Sequence, residues 1–498
     1  MAYTTNNHIY YPADYSQPAD VPADMKRMAD SIEASLDEIN EIVEKLKNSD
    51  NGRVFGVRRV IFDANNAENT SPEWERILDN VGMVANATHD GSSVVNDFDT
   101  IAPWSNIRSG EYDTANHKFI RYIDDILFNF ESTDYEIMTE IPELYIGRYR
   151  TVESGITYEY RFISATKQPG LMHSKPIIGG RYRAFDDSNN KLHSRSGVVP
   201  TTNRTITNFR TYAHNNDAKC GISDVWFRFV LETLYLVEYA HYNSQSKLGL
   251  GSDSRKYLRN LVAGTDVNFV VVSASAGYWV GQTIRIGTSD GGIQRADARH
   301  ITNVEEYNED GVTGYKLTFD GAAITVAVDD YICTMAQTTG QLNSLGMKSG
   351  CLVNDGYHSV IYRGFENCFA DIYEFIDGIN IKNGTDVYIC MDPSKYAVDK
   401  FDDGYELVGY TLIGSEGYTK NLGCDNDKPY VALPVSKGAT NSTGTCDYTY
   451  QTSNAGNYIA FVGGAFYTGL DAGLFYWGCG DGSSASYWAF GARLLINP

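Results

Sequence analysis

Between Val462 and Leu495, glycines and bulky apolar residues recur in an order that leaves the backbone few alternatives. The frame is Gly463-Gly464, Gly469, Ala472-Gly473-Leu474-Phe475-Tyr476, then Trp488 and Gly491-Ala492-Arg493-Leu494-Leu495. Glycine reaches left-handed backbone and lets chains approach closely, so these positions predict tight turns between packed strands. Leu474, Phe475, Leu494 and Leu495 are expected to anchor strands in a core. Arg493, set among them, is expected to be a buried cation paired with a carboxylate. Between the fixed points lie residues of miscellaneous type: Ala465, Tyr467, Thr468, Leu470, Asp471, Gly478, Gly480, Asp481, Ala485, Tyr487, Ala489 and Phe490. A rigid frame carrying changeable positions in two clusters, 465–471 and 478–490, reads as a ligand-binding surface. The competing reading is an ordinary Gly/Tyr/Ser-rich loop region of a β domain.

Composition narrows the function classes. The 498 residues suffice for two to four domains. The formal charge of -22 would repel a polyphosphate over most of the surface, which argues against nucleic acid and against anionic lipid. The 36 Tyr suit a binding surface, where a rigid ring with one hydroxyl gives contact area at low entropic cost. They equally suit a β-rich fold. The eight Cys are scattered, with no C-x-x-C pair and no zinc-type spacing. The opening MAYTTNNHIYYPADYSQ has no basic n-region and no apolar h-region, and no apolar run approaches a membrane span. A cytoplasmic origin with mostly free thiols is the expectation, and membrane insertion is not expected.

Along the chain, residues 20–48 predict one helix whose Met25, Ala29, Ile32, Leu36, Ile39, Val43 and Leu46 follow the 4-3 spacing of a coiled coil. An amphipathic helix packed on its own domain would share that spacing. Short β-like runs follow at 54–62 and 83–87, then a hairpin of 144–149 with 157–164 across Glu153-Ser154-Gly155. Residues 167–205 read as a long polar loop, and 223–243 as a helix apolar on nearly all sides, hence buried. Residues 261–341 change texture to short β-branched runs bounded by Gly/Asp turns, a small all-β insert. The remainder is Gly/Tyr-rich, with one short helix expected near 368–376. The fold class expected is α+β, mostly β. Its parts are a leader and trimerising helix (1–51), a β-rich module (52–142), a first half-domain (143–260), the insert (261–341) and a second half-domain carrying the changeable positions (342–498).

Nothing in the chain demands catalysis. Gly287-Thr288-Ser289-Asp290-Gly291 matches the G-x-S-x-G pattern, but a nucleophile elbow needs a helix after it, and here another β run follows, so a hairpin turn is expected. Asp425-Asn426-Asp427 and Asp402-Asp403-Gly404 offer oxygen ligands without the loop that calcium requires, and Asx turns look the same. No catalytic residue, metal site or cofactor is assigned.

The pattern GG-x(4)-G-x-x-AG-x-FY … W-x-x-GARL resembles the variable region of proteins diversified by retroelements, the family of the phage major tropism determinant. These tail receptor-binding proteins have the C-type lectin fold in its formylglycine-generating-enzyme subtype. Tyr362-Arg363-Gly364-Phe365-Glu366-Asn367 with Ile372-Tyr373-Glu374-Phe375-Ile376-Asp377-Gly378-Ile379-Asn380 resembles a second family stretch, RGIEN…IWEWVDGIN, although Cys368, Tyr373 and Phe375 depart from its Trp pattern. Residues 234–240 with Asn243-Ser244-Gln245 resemble the family's central helix. Residues 81–86, 95–99 and Pro103-Trp104 resemble its N-terminal module. In that family the retroelement mutates template adenines, mostly in AAC codons, which never yields Lys, Glu, Gln, Met or Trp. No Lys, Glu, Gln or Met occurs from Gly463 to Ala492.

The resemblance implies a C-type-lectin-like C-terminal domain and a virion location at a phage tail tip or fibre. It implies a host cell-surface protein or glycan as ligand, a homotrimer, and attachment to other tail or baseplate proteins through the N-terminus. The rival readings are an enzyme on the same fold, a glycan depolymerase or an oxidase using Cys424, Cys446 or Cys479, and a structural baseplate protein.

Overall fold

The computed structural model describes residues 52–497 except 64, 66 and 253–255, together with residues 2–3, 10–11, 37, 39–42 and 44–46. Strands take 37% of the chain and helices 12%, so the fold is mostly β, and one sheet curls into a half-barrel.

The long hairpin forms where alternation and turn residues predict it. Leu144–Glu153 pairs with Ile156–Ser164, Glu153 opposite Ile156. The two linking residues, Ser154 and Gly155, both have positive φ (52° and 82°), the geometry that matches strand twist in a two-residue turn. Phe55–Phe62 adds to this hairpin, and the five-stranded sheet is completed by Glu75–Leu78 and Met172–Ser174. Of the predicted N-terminal seam, Ile39 and Leu46 are described. Both are buried with Val54, Tyr149, Tyr160 and Phe162, so this part of the helix packs on its own chain. Met25, Ala29, Ile32, Leu36 and Val43 lie outside the described residues, as does any trimer contact they would make.

A six-stranded sheet joins distant segments in the order Cys220–Ile222, Leu494–Ile496, Ile177–Gly180, Glu136–Ile141, Arg108–Asp113 and Lys118–Tyr122. Strands from both sides of position 142 are thus hydrogen-bonded into one sheet, and a strand next to the chain's end lies inside it. The span 167–205, expected to be a polar loop, contains Met172–Ser174, Ile177–Gly180, Phe185–Asp186 and Leu192–His193. Each is too short for alternation to show.

The predicted buried helix is Val225–Tyr239, with Asp224 as N-cap accepting from Phe227 N at 2.8 Å. It touches Phe55–Phe62, Ile156–Ser164 and Tyr373–Lys382, which explains its apolar circumference. A second helix, Ile206–Asn216, was not foreseen. Its Asn/Thr-rich sequence is a poor helix former, and a capping box between Thr205 and Asn208 supplies the start. The short helix expected near 368–376 is instead the strand Tyr373–Lys382, buried along nearly its whole length. Residues 83–87 form only a bridge, Ala85 to Asn96.

The insert is a six-stranded sheet in the order Tyr257–Arg259, Tyr331–Thr334, Thr283–Gly287, Ala296–Glu309, Val312–Phe319 and Phe269–Val272. It has its own core of Val270, Ile284, Ile286, Ile301, Leu317 and Ile332, among others. The G-x-S-x-G segment is the connection between the antiparallel strands Thr283–Gly287 and Ala296–Glu309, so no helix follows Ser289.

Candidate functional site

The changeable stretch is held by the largest sheet. Its order runs Glu406–Thr411, Asp386–Ile389, Tyr373–Lys382, Asn457–Val462, Trp477–Cys479, Tyr448–Gln451, Gly417–Leu422, Pro434–Lys437, and Phe490–Gly491 lies parallel to Tyr373–Glu374. Asn457–Val462 and Trp477–Cys479 are antiparallel neighbours. The residues between them therefore form one loop, 463–476, and those between Trp477–Cys479 and Phe490–Gly491 form a second, 480–489.

The glycines act as their positions require. Gly463, Gly464 and Gly469 have φ of 93°, 84° and 63°. Gly473 is needed for closeness, because a Cβ there would stand 2.1 Å from the Asp447 carboxylate, which accepts Phe475 N at 2.6 Å. Leu474, Phe475, Leu494 and Leu495 are core residues. Thr468 Oγ1 braces the first loop by accepting from Ala465 N at 2.6 Å and donating to Ala465 O.

Under both loops lies a buried ionic cluster. Glu374 receives Arg183, Ser223 Oγ and, at 3.4 Å, Arg493 Nε. The remaining Arg493 nitrogens donate to the carbonyls of Gly180, Arg181, Glu366 and Asn367 at 2.7–3.2 Å. Arg493 is 1% exposed, the buried paired cation expected of it. Burial pulls its pKa down to about 10 against nearby anions that hold it up.

The twelve changeable positions divide by environment. Leu470 is exposed, and Tyr467, Thr468, Asp471, Gly480, Asp481, Ala485 and Tyr487 are partly exposed. Ala465, Gly478, Ala489 and Phe490 are buried, which corrects the expectation that the whole set lies at the surface. Phe490 stacks on Phe375 with ring centroids 5.0 Å apart, and a Cβ on Gly478 would meet the Phe461 ring at 2.0 Å. Gly478 and Phe490 lie in the strands 477–479 and 490–491, which are buried at every residue, and Ala465 and Ala489 pack in the same core cluster as Phe490.

The two loops meet through aromatic contact. Trp488 lies 6.2 Å from Tyr467 and 5.7 Å from Tyr487 between ring centroids, and Tyr467 approaches Tyr373 at 6.3 Å. Burial, reinforced by Tyr373 and Tyr487, raises the Tyr467 hydroxyl far above the ordinary phenol range. It stays a neutral donor.

Sequence reasoning missed the insert's share of this surface. Lys256 Nζ lies 5.5 Å and 5.7 Å from the ring centres of Tyr467 and Tyr487 and pairs with Asp290 at 2.8 Å. A Cβ on Gly291 would stand 2.5 Å from the Trp488 indole, so the turn rests directly against that ring. Asn203 N donates to Tyr487 O at 3.1 Å. No local pattern marks these residues, because Asp290 and Gly291 reach the loops through the docking of the insert and Asn203 through the packing of a distant part of the body.

Asp371 sits where the insert joins the body. Its carboxylate accepts from Gln337 N at 2.6 Å and Asn367 Nδ2 at 3.3 Å, its N–H reaches Ser252 O, and its carbonyl accepts from Phe466 N at 2.7 Å. Burial raises its pKa to about 7, with Arg183 pulling it back. A carboxyl raised in the folded state stabilises fully below its unfolded pKa, and that contribution is lost as pH climbs through about 7. Asp371→Asn is therefore expected to flatten the fall in stability between about pH 4 and pH 8. The wild-type slope from this one proton would reach about 1.4 kcal/mol per pH unit at most. Urea titrations across that range, with equal slopes for both proteins, would refute this.

Among the described residues no cluster of three His, Cys, Asp or Glu is arranged to hold a metal ion, and no helix is long and apolar enough to cross a membrane. Asp425 uses its carboxylate on Gly409 N and Asp427 N, as an Asx turn does. All eight cysteines are free. Burial pushes the thiols of Cys424 and Cys479 up and that of Cys446 up to about 12. No family model and no curated protein matches the chain.

Proposed function

We propose that the protein is a phage tail receptor-binding protein whose C-terminal loops, on a C-type-lectin-like domain, bind a molecule of the bacterial surface. The observation that carries this reading is the separation of frame from surface. Arg493, Gly463, Gly464, Gly473, Gly491 and the strand anchors are buried, while Tyr467, Leu470, Asp471, Asp481 and Tyr487 emerge from two adjoining loops. Such an arrangement lets side chains change while the backbone stays still. The absence of Lys, Glu, Gln and Met from 463–492 agrees with adenine-directed diversification. A homotrimer presenting three such surfaces would turn weak contacts into firm attachment.

The oxidase alternative needs a reactive thiolate, and burial that raises a thiol pKa works against one. The test is adsorption of labelled protein to a panel of bacterial strains. The combined variant Tyr467→Ala, Leu470→Ala, Asp471→Ala and Tyr487→Ala is expected to lose cell binding by about tenfold or more, because aromatic anchors dominate interfaces, while its circular dichroism stays unchanged. Unaltered adsorption would favour a structural baseplate role. Turnover of surface glycan by the parent protein would favour the enzyme.

A further inference from the structure

The insert and the body enclose a cleft of about 730 Å³ beside the changeable loops. We propose that this cleft, between insert residues 291–298 and body residues 198–204, is a subsite for neutral, polyhydroxylated saccharide. The proposal rests on the binding function above and adds to it a ligand class and a second, unchanging wall.

The cleft lies within the size range of small-molecule sites. On the body wall Arg204 Nε donates to Asp186 Oδ2 at 3.1 Å, and Thr201 Oγ1 donates to Asp186 Oδ1 at 2.5 Å. On the insert wall Arg285 pairs with Asp297 at 3.1 Å. Each guanidinium is matched by a carboxylate, so an anion entering would meet Asp186 and Asp297, and a cation would meet Arg204 and Arg285. A neutral ligand escapes both penalties. Adjacent donors and acceptors suit hydroxyl groups in particular, since each hydroxyl can donate and accept at once.

The insert wall has features of a built site. Arg285 is 2% exposed, its Nε has no hydrogen-bond partner among the described residues, and its guanidinium lies 5.8 Å from the Trp488 ring centre. An unsatisfied buried donor is costly, and here it stands in a residue that lines the cleft. Gln294 spends its amide oxygen on Thr288 N at 3.0 Å, which leaves its NH2 group as a donor. Val198, Val199 and Ile293 add apolar patches for the C–H faces of a sugar ring. A folded protein partner would need a dry apolar centre with a charged rim, and this cleft has charged pairs on both walls.

Continuity with the changeable loops comes from Asn203, whose N–H holds Tyr487 O, and from Gly291 against Trp488. Changes at Tyr487 would alter the mouth of the cleft while its walls stay constant. One class of ligand would then be retained as fine specificity shifts.

The test passes the full chain over an array of neutral and uronic-acid-bearing oligosaccharides from bacterial surface glycans. Retention on neutral members is expected. Arg204→Ala and Gln294→Ala should each weaken it by about tenfold, the loss of a charge-assisted or well-placed hydrogen bond. Glu305→Gln, outside the cleft, should leave it unchanged. Both cleft residues are at least partly exposed, and circular dichroism checks that the variants fold. Retention of acidic members alone, retention of none, or equal retention by parent and both cleft variants would overturn the proposal. If cell adsorption falls with the loop variant but not with Arg204→Ala or Gln294→Ala, the receptor-binding reading stands and the saccharide subsite fails. If saccharide is held but the loop variant adsorbs to cells normally, the subsite stands and the loop reading fails.

Discussion

Arg493→Ala is expected to destabilise the fold by about 3–5 kcal/mol, the usual cost of breaking a buried ion pair from one side. Its guanidinium contacts Glu374 and four backbone carbonyls drawn from two separate stretches, 180–181 and 366–367. Removing it takes a donor from each of those buried carbonyls, of which that of Arg181 keeps Glu366 N, and leaves Glu374 to Arg183 and Ser223. Arg493→Lys should recover only part of the loss, because an ammonium cannot reproduce the planar fork that spans both stretches. Urea unfolding followed by tryptophan fluorescence measures this directly. A midpoint within error of wild type for Arg493→Ala would mean the cluster contributes little to stability.

The second large effect concerns the limits of variation. Gly478→Asn is expected to cost about 1–3 kcal/mol or more, because the added side chain must displace the Phe461 ring from a packed sheet. Leu470→Asn, at a position 50% exposed, should stay within about 0.5 kcal/mol of wild type. In a library randomised at both positions and sorted for soluble expression, 470 should accept nearly every residue and 478 should return to Gly. Equal tolerance at the two would show that the sheet opens more readily than its packing implies. On the proposed receptor-binding reading the contrast bears on function, since diversifying a buried position would leave most variants misfolded.

Much of the fold was legible where one local pattern was long enough to read. The apolar circumference of Val225–Tyr239 and the alternation around Ser154-Gly155 each predict the element found there. Patterns failed where elements are short or buried on both sides. Tyr373–Lys382 mixes Glu374, Asp377 and Asn380 with its apolar residues although nearly every position is buried, so no clean strand period shows, and the strands at 172–174 and 177–180 span too few residues for alternation to register.

For the candidate site, the amino-acid sequence alone determined the frame: which glycines turn, which residues anchor, and that Arg493 is buried with a carboxylate. These follow from local backbone limits and from the cost of burying a charge, and both act residue by residue. Only the tertiary structure decided which changeable residues face outward, because that depends on how 477–479 and 490–491 pair with strands up to 117 residues away. It alone also brought Lys256, Asp290, Gly291 and Arg285 to the same surface. Their placement comes from the docking of one packed unit on another, a contact between surfaces that no short-range pattern encodes.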